Sequence, residues 1–210
     1  MKQYEAFGII PVEFRAVAEV IGQYNAPNDK IRQMEQAGTF IRLKKGLYVL
    51  SNKISHQPLS KELIANHLMG PSYVSLESAL SYFGLIPERV LTCRSVTIKR
   101  SKTYNTRLGV FEYITMPDHN YYSIGISYEI INNSYAFLIA TPEKAICDLI
   151  VTTPYLRIQS KKAMAEYLYE DLRIDNTHRP DWNLGIIEAC RVYGRKKREL
   201  NLLYQVLKNG

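Results

Sequence analysis

Apolar residues near the start of the chain recur at two different periods. Phe14, Val17, Ala18 and Ile21 follow helical spacing and stop at Gly22. A second helix is predicted from Pro27, whose fixed φ suits a first turn, to a stop at Gly38, with Ile31 and Met34 inward. Its opposite face carries Asp29, Arg32, Gln33 and Gln36, side chains that bond phosphates or base edges. The period then shortens to two. Phe40-Ile41-Arg42-Leu43 and Leu47-Tyr48-Val49-Leu50 read as strands around Lys44-Lys45-Gly46, where glycine supplies the positive φ of a short hairpin loop. Residues 1–52 are therefore read as one small module, and residues 53–60, polar around Pro58, as a linker.

Residues 61–210 are predicted to form a larger mixed domain. Residues 59–69 read as a helix ending at Gly70-Pro71, and residues 75–83 as a short helix capped by Ser75 and stopped by Gly84. Strand signals follow. Val96 and Ile98 alternate with polar neighbours, and Phe111 and Tyr113 mark a strand over 109–115. Tyr122, Ile124, Ile126, Tyr128 and Ile130 then alternate so strictly that one long strand is expected, turned back by Asn132-Asn133 into 135–140. Thr141-Pro142-Glu143 combines an N-cap residue, a first-turn proline and an acid at the positive helix end, and Ala145, Ile146, Leu149 and Ile150 give that helix its apolar face. Further helices are predicted over 160–170 and 181–193, the latter followed by Gly194. A last helix has Leu200, Leu203, Tyr204 and Leu207 on one side. The expected class is α+β, a small N-terminal winged-helix-like module followed by a mixed domain with an antiparallel sheet and C-terminal helices.

Composition narrows the function classes. The chain has 210 residues, is 46% apolar and carries a formal charge of +7. Such a chain builds a genuine core, and its charge favours anionic partners without naming one. The excess sits at the two ends. Residues 1–58 hold eight basic and five acidic side chains, 59–155 eight of each, and 156–210 eleven and seven. Cys93, Cys147 and Cys190 are odd in number and far apart, so neither a disulfide framework nor a zinc site is expected. No apolar run approaches a membrane span, and the polar opening Met1-Lys2-Gln3 does not read as a secretory leader; a cytoplasmic protein without a membrane partner is expected. Phosphate-loop, dinucleotide-binding, nucleophile-elbow and metalloprotease motifs are absent. His56, His67, His119 and His178 stand in unrelated contexts, and Glu170, Asp171 and Asp175 read as a solvated helix end. No catalytic residue, metal or cofactor is assigned, and a non-enzymatic protein is expected.

Two basic clusters remain. Helix, helix and hairpin in that order are the minimal skeleton of a winged helix, whose second helix enters the major groove while the hairpin contacts phosphates. On that reading Arg42, Lys44 and Lys45 take phosphates and Arg32, Gln33 and Gln36 face the bases. The same elements also suit a module that docks a protein and never touches DNA. Few residues precede Val12, and Gly8 and Pro11 interrupt them, so a third helix is not expected. The second cluster, Arg195-Lys196-Lys197-Arg198, puts four cations at a helix start, where the macrodipole disfavours each by about 0.3–1 kcal/mol. It reads either as a patch for an acidic partner or nucleic acid, or as a solvated turn.

Three stretches together resemble a family: Ile41-Arg42-Leu43-Lys44-Lys45-Gly46-Leu47-Tyr48-Val49-Leu50, then Pro71-Ser72-Tyr73-Val74-Ser75-Leu76-Glu77-Ser78-Ala79-Leu80 running on to Gly84-Leu85-Ile86-Pro87-Glu88, then Thr141-Pro142-Glu143-Lys144-Ala145-Ile146-Cys147-Asp148-Leu149. Their order and spacing are similar to the AbiEi antitoxins of bacterial abortive-infection systems, which belong to type IV toxin–antitoxin pairs. The resemblance implies a winged helix that binds operator DNA and represses its own operon, and a second domain that counters a co-encoded nucleotidyltransferase toxin without necessarily binding it. It places Arg42, Lys44, Lys45 and Gly46 in the wing. Ser75, Thr141 and Pro142 read as capping and packing residues.

Overall fold

A computed structural model describes residues 3–22, 26–88, 90–175 and 181–209; His178 and the opening Met1-Lys2 lie outside them. The first module runs through a 3-10 turn (Gln3–Phe7), β1 (Val12–Glu13), α1 (Phe14–Ile21), α2 (Pro27–Gln36), β2 (Phe40–Lys44) and β3 (Leu47–Leu50). The two helices and the hairpin lie where the hydrophobic periods place them. The module is fuller than the sequence suggests. Residues before α1 contribute the 3-10 turn and a short strand that pairs with β3, giving an antiparallel sheet of order β1-β3-β2. The turn is held tertiarily rather than by propensity, with the Tyr4 ring edge-on to Phe40 at 5.9 Å between centroids.

Strand alternation explains how the hairpin is used. Successive side chains point to opposite faces, and here both faces are covered. Phe40, Tyr48 and Leu50 join Val17, Ile31 and Met34 in the small core, while Leu43, Leu47 and Val49 join the large core of the rest of the chain. A strand buried on both sides has no polar positions, which is why Leu47-Tyr48-Val49-Leu50 is a continuous apolar run.

The remaining elements are α3 (Asn52–Ser55), α4 (Lys61–Leu68), β4 (Ser72–Val74), α5 (Leu76–Tyr82), β5 (Cys93–Thr97), β6 (Lys102–Thr106), β7 (Gly109–Thr115), α6 (His119–Tyr122), β8 (Ile126–Ile131), β9 (Tyr135–Ala140), α7 (Pro142–Thr152), α8 (Lys161–Glu166), a π-helical turn (Tyr167–Asp171), α9 (Leu184–Tyr193) and α10 (Lys197–Asn209). The chain is of the α+β class. The segment read as a linker begins within the helical turn α3. The second sheet has order β6-β7-β5-β4-β9-β8 and is mixed rather than wholly antiparallel, with β5–β7 and β4–β9 parallel. β7 runs parallel to β5 because the chain leaves β5, forms β6 and folds back between the two.

The long strand expected from Tyr122 is cut short by a local cap. The Asp118 side chain accepts from the Tyr121 amide at 3.0 Å, starting α6, and buries Tyr121; the strand begins only at Ile126. Gly125 makes the turn between them with φ of +59°, and a Cβ there would lie 2.8 Å from Lys144 Cβ and 2.9 Å from Ile186 Cγ2. Gly125→Ala combines left-handed strain with overpacking and is expected to cost about 2–4 kcal/mol. Urea unfolding checks this, and an unchanged midpoint would contradict the tight approach. Gly194 is needed for space instead of φ. Its backbone is extended, and an added Cβ would meet Cys190 O at 2.5 Å and Leu200 Cδ1 at 2.6 Å.

Candidate nucleic-acid interface

Helical geometry selects which residues of α2 share a face. Asn28, Arg32, Glu35 and Gln36 fall at spacings of four, seven and eight, one stripe of the helix. All four line a cleft of about 830 Å³ together with Arg42 of β2, Lys45 and Gly46 of the hairpin turn, Phe14, Tyr48 and Arg107. Four of the six residues read from the sequence as DNA contacts, Arg32, Gln36, Arg42 and Lys45, therefore meet at one site, and each is solvent-exposed. Four cations face one lining carboxylate, Glu35, so the cleft is net positive. Phe14 and Tyr48 add aromatic surface to its lining.

Gln33 and Lys44 are placed differently. Gln33 is exposed but not among the lining residues, because one residue along a helix turns the side chain by about 100°. Lys44 is a correction to the wing expected from the sequence. It is half-buried, its Nζ donates to Leu68 O at 2.6 Å, and it lies 6.0 Å from the Tyr104 ring centroid. A register shift between Arg42 and Lys44 turns this side chain toward α4. Lys44 fastens the hairpin to the end of α4 rather than presenting its charge wholly to solvent.

The C-terminal basic cluster divides in two. Lys196 Nζ donates to Thr153 O at 2.7 Å and Leu156 O at 3.1 Å, and an Arg198 guanidinium nitrogen donates to Gln159 O at 3.2 Å. Thr153 closes α7, so these cations satisfy carbonyls at and beyond the negative end of a helix, which offsets their position at the start of α10. Burial lowers the Lys196 ammonium below its usual value. Arg195 and Lys197 are exposed.

The motifs behind the family resemblance converge inside the large core. Tyr73 and Ser75, from the second stretch, donate to Asp148 Oδ2 at 3.0 and 2.7 Å, and Asp148 belongs to the third stretch. Its other oxygen faces Lys144 Nζ at 3.0 Å, both side chains being fully enclosed. Lys144 also donates to Tyr121 O at 2.9 Å and lies 3.4 Å from the centroid of that ring. Burial first, then the Asp148 carboxylate, pushes the Tyr73 and Tyr121 phenols well above their ordinary values, which keeps both neutral. Thr141 caps α7 as expected, and Glu143 accepts from the Asn183 amide at 2.8 Å at the start of α9. Ser75 does not cap α5. Its hydroxyl goes to Asp148, and the next residue, Leu76, takes a left-handed φ of 58° while wholly buried.

This enclosed network suits architecture, since no substrate reaches a side chain with no exposed surface. Among the described residues no group of three or more His, Cys, Asp or Glu could hold a metal ion, and no helix is long and apolar enough to cross a membrane. The three cysteines are free and buried. Arg107 is the cation lining the cleft that sequence reasoning missed, along with the lining residues Asn28, Glu35, Phe14 and Tyr48. The signal was present in Lys99, Arg100, Lys102 and Arg107, four cations within nine residues that contain no acid. No protein-family model and no curated protein matched the chain.

Proposed function

We propose that the chain is a DNA-binding transcriptional repressor of its own operon and the antitoxin of a type IV toxin–antitoxin pair, without catalytic activity. The observation that carries the DNA half is the meeting of Arg32, Gln36, Arg42, Lys45 and Arg107 around one open cleft. Cations at a hairpin turn supply the salt-dependent phosphate contacts, and Arg32 and Gln36 on the exposed stripe of α2 are the side chains suited to base edges. A first module built as helical turn, strand, two helices and hairpin supports a winged-helix mode of docking, with α2 toward the major groove. The Tyr73–Ser75–Asp148–Lys144 network joins two of the three family-like stretches, and that pairing of the two motifs is in keeping with the resemblance to AbiEi antitoxins.

The antitoxin half is tested in cells. Induction of a nucleotidyltransferase encoded beside this gene is expected to arrest growth, and co-expression of the full chain to restore it. Arrest unchanged by the chain would contradict the antitoxin role.

A second reading, a non-DNA-binding module acting on a co-encoded protein, is favoured by one feature. On the outer face of β8 and β9, Tyr128 stands opposite Leu138 and Ile130 opposite Ala136, and Tyr128 and Ile130 are 66% and 57% exposed. Apolar surface of this kind marks protein interaction sites. Co-purification of the neighbouring gene product, with no retardation of upstream DNA, would support this reading over the first.

A further inference from the structure

Arg107 belongs to the second sheet, on the turn between β6 and β7, yet it lines the same cleft as Arg32, Arg42 and Lys45 of the first module. We propose that the DNA-contacting surface continues from the first module onto the β6–β7 hairpin, where Arg107 and Lys102 take further backbone phosphates of the same duplex. This inference rests on the DNA-binding reading above.

Four observations support it. The run 99–107 holds four of the eight basic residues of 59–155 and no acid. The charge is not cancelled on its own hairpin, because Glu112 of β7 is engaged by Arg94 Nε at 2.9 Å. The two hairpins are also joined through one ring. Lys102 Nζ lies 4.6 Å and Lys44 Nζ 6.0 Å from the Tyr104 centroid, so Tyr104 links the second sheet to the wing. Finally, the hairpins are held in place before any ligand arrives. Leu43, Leu47 and Val49 are buried in the large core and Lys44 is bonded to Leu68 O, so Arg107 needs no rearrangement to act with Lys45. Cations drawn from a helix and from two hairpins line one cleft of about 830 Å³, more room than a single small anion fills, which suits successive phosphates of a duplex.

The test is fluorescence anisotropy of the full chain with a labelled 30-base-pair mixed-sequence duplex, titrated across potassium chloride concentrations. Each phosphate contact contributes about 0.9 to the slope of log affinity against log salt. Arg107→Ala is therefore expected to lower the slope by about 0.9 and weaken binding about eightfold at 0.1 M salt, and Arg107→Ala with Lys102→Ala by about twice that slope. Arg107→Lys, which keeps the charge, should retain the slope. Lys161→Ala with Lys162→Ala, a pair of exposed cations on α8, controls for net charge and should leave it unchanged. Matched thermal melts of each variant separate loss of contact from loss of fold. A double variant at Arg107 and Lys102 that keeps the wild-type slope, while Arg42→Ala with Lys45→Ala loses it, overturns the inference and confines binding to the first module. An effect no larger than that of the α8 control overturns it as well. Absence of any salt-dependent binding by the wild-type chain removes the DNA reading itself and this extension with it.

Discussion

Asp148→Ala is expected to destabilise the protein by about 3–5 kcal/mol, the cost of leaving a buried partner charge uncompensated. The carboxylate is fully enclosed, accepts from Tyr73 and Ser75 and faces Lys144 Nζ at 3.0 Å. Removing it leaves the ammonium with Tyr121 O and the Tyr121 ring, which stabilise it only in part. It also leaves two hydroxyls without their acceptor. A domain's whole stability is about 5–15 kcal/mol, so this one change removes a large fraction of it. Replacing the pair together by apolar residues of similar volume, Lys144→Met with Asp148→Leu, is expected to cost much less, because no charge is then left buried. Equilibrium unfolding in urea reads both. If Asp148→Ala cost no more than the apolar double variant, the view of this pair as a mutually dependent buried unit would be wrong.

Much of the architecture is legible in the sequence, and the misses have physical causes. The helices of the first module, the hairpin at Gly46 and the start of α7 at Thr141-Pro142 follow from local signals that tertiary structure reinforces. At Asn132-Asn133 both residues adopt positive φ, as the turn requires. Alternation misleads at Tyr122 and Ile124, because the Asp118 cap starts a helical turn there and Gly125 turns the chain before the strand begins. β6 carries almost no apolar signal, since Lys102, Thr103 and Asn105 are exposed on a sheet edge, and it goes unread. β1 is too short to show a period at all. The site is legible in part for a related reason. Spacing reveals which residues share a face of α2, and so finds Arg32 and Gln36. It cannot reveal that Lys44 turns inward at a register shift, or that Arg107 arrives from a different sheet. Averaging charge over 59–155 to zero concealed the run that contains Arg107, because acids elsewhere in that stretch balance it in number but not in place. The basic residues at 195–198 show the converse, since Lys196 and Arg198 bond carbonyls of the preceding elements.

Arg42→Ala with Lys45→Ala is expected to weaken DNA binding about 60-fold at 0.1 M salt and to lower the salt slope by about 1.8, as loss of two phosphate contacts requires. Both side chains are exposed and line the cleft, and neither is buried in a core, so the variant should fold with the wild-type unfolding midpoint. On the proposed function, this cleft binds the DNA upstream of the protein's own gene. The most direct test is a salt titration of that DNA, beside a mixed-sequence duplex, with the wild-type chain and this double variant. The expected result is tighter binding to the upstream DNA, a wild-type slope of about −3 or steeper from the clustered cations, and a slope shallower by about 1.8 in the variant. Wild-type binding that does not change with salt, or a variant with an undiminished slope, would contradict it.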